Sequence, residues 1–229
     1  MSEKITSSNS IFIRYYFYFV VLAAVILMQI PIISIPFKWL ESYFHEVSHG
    51  IAALATGGEI VRIQLFANGA GLCTTLGGST FFISFFGYAG AAIWGVIYYL
   101  MAGLHHRLAQ IFALILILLF IVTLLLWSRD ILTIGIILLL LSLVVVKLRY
   151  GRSFYLKLSL QVTGVMVLLN SIKSPWYLID GRNIGDGSAL AQQTGIPEMF
   201  WVICWCVITI SGIVLLAKAQ KNSELSKSH

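Results

Sequence analysis

Charge is scarce in this 229-residue chain: only 10% of its residues are Asp, Glu, Lys or Arg, against 59% hydrophobic, and its mean hydropathy is +0.92. A soluble globular domain carries about 25% charged residues, and at this size much of its surface would face water. Nine acids and fifteen bases cannot coat that surface, which excludes a soluble enzyme. So apolar a chain is not a disordered one either. Cysteine is sparse too. Cys73, Cys204 and Cys206 form no Cys-x-x-Cys pair, and an odd, scattered set excludes a disulfide-stapled secreted domain. The polar start of the chain has Lys4 as its one base. The apolar run after it lacks a small-residue cleavage site, which predicts a retained anchor, not a signal peptide. No fixed-period repeat or low-complexity tract is present. What remains is a multi-pass protein of the lipid bilayer. Its net charge of +6 then reads as positive flanks on membrane loops, with no nucleic-acid partner implied.

Apolar runs near 20 residues, enough to cross about 30 Å of hydrocarbon, fall at about 11–30, 80–104, 108–127, 131–147, 154–172 and 198–217. A seventh, less apolar segment at 36–56 carries Glu41, His45, Glu46 and His49. The expected fold is an all-α polytopic membrane protein of six to seven transmembrane helices. Ser128-Arg129-Asp130 reads as a turn between two spans, with Asp130 capping the second. After the 36–56 segment, Ile60, Arg62 and Gln64 alternate with Val61, Ile63 and Leu65, and Asn68-Gly69 is a turn signal. This predicts a small β-hairpin within 57–80 at the membrane surface. A polar loop at 173–197 holds Asp180 and Asp186. With polar tails at 1–10 and 218–229, the chain reads as one membrane-embedded domain. With seven crossings, nine of the fifteen bases share the side of the C-terminus, which predicts a cytoplasmic C-terminus. The same count puts the hairpin and the 173–197 loop on one face.

Against this background one pentapeptide carries chemistry. His45-Glu46-Val47-Ser48-His49 is a complete H-E-x-x-H. On a helix, residues four apart lie one turn above each other, so both imidazoles reach one Zn²⁺ while Glu46 sits beside it as a proton acceptor. Random placement would produce the pattern in roughly three chains per thousand of this composition. In a bilayer an unpartnered ionisable side chain costs several kcal/mol, and a shared metal gives three such groups a common purpose. A catalytic zinc takes three protein ligands and keeps a position open. Glu41, Glu59 and Glu198 lie near span ends and read as interface residues, while His105 and His106 fall on the opposite face. Asp180 and Asp186 remain as third-ligand candidates. Each has a structural alternative: Asp180-Gly181 as a turn, Asp186 as the N-cap of a short helix over 187–194.

The chain resembles the site-2 protease family of intramembrane zinc metalloproteases, and within it the compact branch without a PDZ domain. The resemblance rests on Phe44-His45-Glu46-Val47-Ser48-His49-Gly50, continuing to Thr56-Gly57-Gly58, and on Ala67-Asn68-Gly69-Ala70-Gly71-Leu72. Further matches are Gly87-Tyr88-Ala89-Gly90 with Trp94-Gly95, and Gly185-Asp186-Gly187-Ser188-Ala189-Leu190-Ala191 with Thr194-Gly195-Ile196-Pro197. It spans about residues 36–215. It implies that one catalytic Zn²⁺ is bound by His45 and His49, that Glu46 is the general base, and that the substrate is a transmembrane protein. The family's Leu-Asp-Gly ligand motif is matched by Leu178-Ile179-Asp180-Gly181, with Ile179 inserted and with Asn170 and Pro175 upstream. The aspartate of the compact branch maps to Asp186. The third ligand thus lies between the two, with a lean to Asp180 because it directly follows a span. Asn170 is a candidate for holding the substrate strand or an oxyanion, or for a helix–helix hydrogen bond. Gly87, Gly90 and Gly95 make a small-residue face for close packing on the metal helix. The hairpin offers an edge to which an unwound substrate can add a strand. The alternative function is a zinc-binding membrane protein that transports, senses or scaffolds without proteolysis.

Overall fold

The computed structural model of the chain describes residues 3–104, 106–150, 153–179 and 184–225. Eight α-helices and one hairpin follow in the order α1 (Glu3–Met28), α2 (Pro31–Ala55), β1 (Glu59–Leu65), β2 (Gly71–Leu76), α3 (Thr80–Leu104), α4 (His106–Leu126) and α5 (Ile131–Tyr150). Then come α6 (Ser153–Lys173), a short 3₁₀ turn (Ser174–Leu178), α7 (Asp186–Thr194) and α8 (Glu198–Leu225). The protein is therefore mostly helical with one small sheet, as expected.

Among the described residues, five helices are long and apolar enough to cross a membrane: α3, α4, α5, α6 with its 3₁₀ extension, and α8. Helices α1 and α2 meet at a bend of 108° and pass the same test only as a pair, so the described residues hold five spans, or six with that pair counted as one. The break follows from Pro31, which stands at the start of α2. Proline restricts the residue before it to extended backbone, and Ile30 is extended at φ −96°, ψ 106°. The polar ends continue the helices beside them. Helix α1 starts at Glu3 and α8 runs to Leu225, because no Gly or Pro intervenes to stop propagation from the apolar runs.

Helices α3 and α6 form the centre of the bundle. A Cβ on Gly164 would stand 2.8 Å from the carbonyl oxygen of Gly95, so the two glycines let the helix backbones touch. Gly95 thus serves the contact with α6, whereas Gly87 and Gly90 face α2 as expected. Around this pair lies a cluster of Tyr43, Phe44, Ile63, Tyr98, Leu116 and Ile137 that joins α2 and the hairpin to α3, α4 and α5. A second cluster, with Val20, Tyr99, Met166 and Leu216, ties α1 and α8 to the centre.

The hairpin is antiparallel, with Ile63 opposite Cys73 and Leu65 opposite Gly71. Its turn is closed by Phe66 N–H to the Ala70 carbonyl and by the Asn68 side chain on Ala70 N–H. A bulge between Ile60 and Arg62 interrupts the simple alternation. It leaves Val61 exposed and packs Ile60 against the core beside Ile63. The outer edge of β1 is already paired: Ile63 N–H donates to Trp127 O at 3.1 Å and Leu65 N–H to Thr133 Oγ1 at 2.9 Å. Asp130 caps α5 as expected, accepting from Thr133 N–H at 2.8 Å, and also pairs with Arg62 at 3.1 Å.

Candidate metal centre

Helix α2 is the source of the site. His45 and His49, one turn apart, bring their Nε2 atoms to 2.8 Å of each other. The Nδ1 atom of His49 lies 2.6 Å from the Ile83 carbonyl. A carbonyl only accepts, so that nitrogen carries the hydrogen and Nε2 is left to face the site. Across the gap stands Asp186, whose Oδ2 is 3.1 Å from His45 Nε2 and 3.3 Å from His49 Nε2. Ligand atoms about 2.0–2.1 Å from a tetrahedral zinc lie roughly 3.3 Å apart, so both carboxylate distances fit a shared ion and the imidazole pair is slightly tighter. Among the described residues these three are the group of His, Cys, Asp or Glu side chains that could hold a metal.

Asp186 reaches this position because α7 starts with it. Gly185 occupies the N-cap with φ 109°, and no side chain caps the helix. Asp186 is thus the first helical residue and not the cap. Leu190 and the buried Trp205 and Val202 of α8 hold α7 in place. Burial by itself would raise the Asp186 carboxyl, but His49 and His45 more than offset it and hold the group well below the usual carboxylate range. Asp180 lies outside the described residues, as do His105 and the side chain of His106.

The third wall is α3. A Cβ on Gly87 would come within 2.6 Å of His49 Nε2 and 2.7 Å of His45 Cε1. Only glycine therefore lets α3 lie this close to both imidazoles. Next to it, the Tyr88 ring meets His45 edge-on at 4.3 Å and is backed by Trp205 at 4.7 Å.

Glu46 lies outside the ligand group, with its carboxylate next to the hairpin. It is buried, and its carboxylate lies beside the Cys73 backbone. In the register given above, Cys73 and Gly71 face residues whose N–H groups turn outward, so their own backbone groups also turn away from β1. The free edge of β2 therefore looks onto Glu46. The approach is close: a Cβ on Gly71 would lie 2.5 Å from Glu46 Oε1 and 2.7 Å from Ser42 Oγ.

A cavity of about 600 Å³ opens beside these groups, lined by His45, Glu46, Gly71, Tyr88 and Asn170 among others. Asn170 is 7% exposed, and its Nδ2 has no hydrogen-bond partner among the described residues. Among the described residues, that nitrogen makes no helix–helix hydrogen bond. Glu41 also lines the cavity, which the sequence did not foretell. Its place near a span end read as an interface position, yet it is 6% exposed and accepts from Ser174 Oγ at 2.8 Å. Its spacing of four from His45 was the signal that could have placed it on the same face.

A family model described as Peptidase M50B-like matches residues 18–216. No curated protein and no solved structure matches the chain.

Proposed function

The chain belongs to the M50B-like peptidases of the site-2 protease family, and on that footing we propose that it is a zinc-dependent endopeptidase cutting transmembrane proteins within the bilayer. The observation that carries this reading is the convergence of His45, His49 and Asp186, with Glu46 adjacent and outside the ligand set. His45, His49 and Asp186 would hold the ion. When bound, zinc would supply a Lewis acid that acidifies a water and polarises a peptide carbonyl.

The remaining steps belong to the chain's own residues. Glu46 takes a proton from the attacking water and returns it to the departing amine nitrogen. The hairpin packs against that carboxylate at Gly71 and Cys73, which limits where it can move. Asn170 Nδ2, buried and unpaired at the cavity wall, donates to a substrate carbonyl. A helical substrate hides its amides in internal hydrogen bonds and must unwind first. The β2 edge takes up the unwound segment by strand addition at Gly71, since β1 already spends its outer N–H groups on Trp127 and Thr133.

Two measurements test the proposal. Zinc content of the purified protein should be one per chain and fall in His45→Ala; a metal-free wild type refutes the site. Glu46→Gln should keep zinc and abolish cleavage of a membrane protein that accumulates uncut in cells carrying the variant. If zinc is stoichiometric and no membrane protein differs between the two cell lines, the non-proteolytic zinc-binding alternative holds instead.

A further inference from the structure

The second carboxylate in the cavity has no role in the chemistry above. Glu41 and His45 form one strip of α2, and Ser42 with Glu46 the next strip. The Ser42–Glu46 strip meets Gly71 of the hairpin. Glu41 instead meets Ser174, just beyond α6, whose hydroxyl also lies 2.9 Å from the Asn170 carbonyl. The cavity thus has a hairpin side and an α6 side. On the α6 side stand a buried acceptor, Glu41, and a buried donor without a partner, Asn170 Nδ2.

A buried carboxylate in a bilayer protein calls for a partner. Among the described residues no Lys, Arg or His forms an ion pair with Glu41, and Ser174 is the one hydrogen-bond donor found on it. It lies outside the His45, His49 and Asp186 group, so it is not a ligand of that centre. A cationic substrate side chain is disfavoured, because the exposed Lys38 and Lys173 line the same cavity and repel it. A neutral donor is left, and an unwound peptide brings one at every residue.

Resting on the peptidase reading, we infer that Glu41 binds substrate directly: on the α6 side of the cavity its carboxylate accepts one backbone N–H of the extended substrate strand. In a strand, the N–H and C=O of one residue point to one edge and those of its neighbours to the other. The residue whose N–H meets Glu41 therefore offers its C=O to Asn170, while its neighbours face β2. The substrate is held from two edges, and the α6 edge fixes which peptide bond lies over the metal.

The test uses the full-length, zinc-loaded protein in detergent and a series of short apolar peptidyl hydroxamates. The hydroxamate anchors each compound at the metal, and each backbone N–H is replaced in turn by an ester oxygen. In the wild type, one ester position should weaken binding about tenfold or more, as expected when a buried acceptor loses its donor. That difference between amide and ester should shrink in Glu41→Gln and vanish in Glu41→Leu, with zinc content unchanged in both. Equal amide-to-ester ratios in the wild type and Glu41→Gln at every position overturn the inference, even if Glu41→Leu fails to fold. Loss of zinc in Glu41→Gln overturns it too, by making Glu41 part of the metal site. If no hydroxamate binds a wild type that holds zinc, the peptidase reading itself fails and takes this inference with it.

Discussion

Replacing Gly71 by alanine separates the proton-transfer role proposed for Glu46 from the metal binding proposed for His45, His49 and Asp186. Gly71 has no left-handed φ, so space alone forbids a side chain there. The new Cβ would sit 2.5 Å from Glu46 Oε1 and 2.6 Å from its Cγ, where ordinary contact begins at 3.4 Å. The carboxylate must therefore withdraw by about 0.9 Å, the difference between 3.4 and 2.5 Å. Ser42 Oγ, 2.7 Å from the new Cβ, must yield as well, and both neighbours are side chains and not backbone. A displacement of about 1 Å at a catalytic group costs on the order of 100-fold in rate, or about 2.7 kcal/mol of transition-state stabilisation. The three atoms nearest that Cβ belong to Glu46 and Ser42, not to His45, His49 or Asp186. Gly71→Ala should thus retain full zinc while kcat falls about 100-fold. The assay is cleavage, in proteoliposomes, of the membrane protein that accumulates with Glu46→Gln, with metal measured on the same preparation. Wild-type kcat in Gly71→Ala would refute the assigned position of Glu46. Loss of zinc would show that the hairpin supports the ligands instead.

The opposite dissociation is expected at Gly87. Its alanine variant presses on His49 Nε2 and His45 Cε1, so zinc affinity, read by competition with a chelator, should fall along with activity. Asp186→Asn should weaken zinc by more than the about 10–100-fold that loss of an outer hydrogen bond to a ligand costs. The same assay on Asp180→Asn decides between the two aspartates. At the far side of the hairpin, Asp130→Ala should lower stability by about 1 kcal/mol through loss of the α5 cap. Burial opposes ionisation of Asp130, but the Thr133 N–H and hydroxyl together with Arg62 hold its carboxyl below the ordinary range. A depressed acid stabilises the fold above its unfolded pKa and loses that contribution as pH falls through the folded value. Thermal unfolding in detergent should therefore separate wild type from Asp130→Ala at neutral pH and less so in acid.

Neighbouring residues were enough to read the solvent, the number of crossings to within one, the hairpin, and the helix that brings His45, Glu46 and His49 to one place. Each of these is local: a 20-residue apolar run, an alternation, a turn dipeptide or a four-residue spacing is written in neighbouring residues. Tertiary structure alone decided what arrives from a distance. Asp186 lies 137 positions after His49 and meets it because α7 is held by α8 and α3. No periodicity encodes such a contact. Glu41 shows the same limit from the other direction. Its position near a span end reads as a surface acid until Ser174 and the cavity are seen beside it. Spacing along one helix fixes which side chains share a face, but what that face meets depends on packing between helices far apart in the chain.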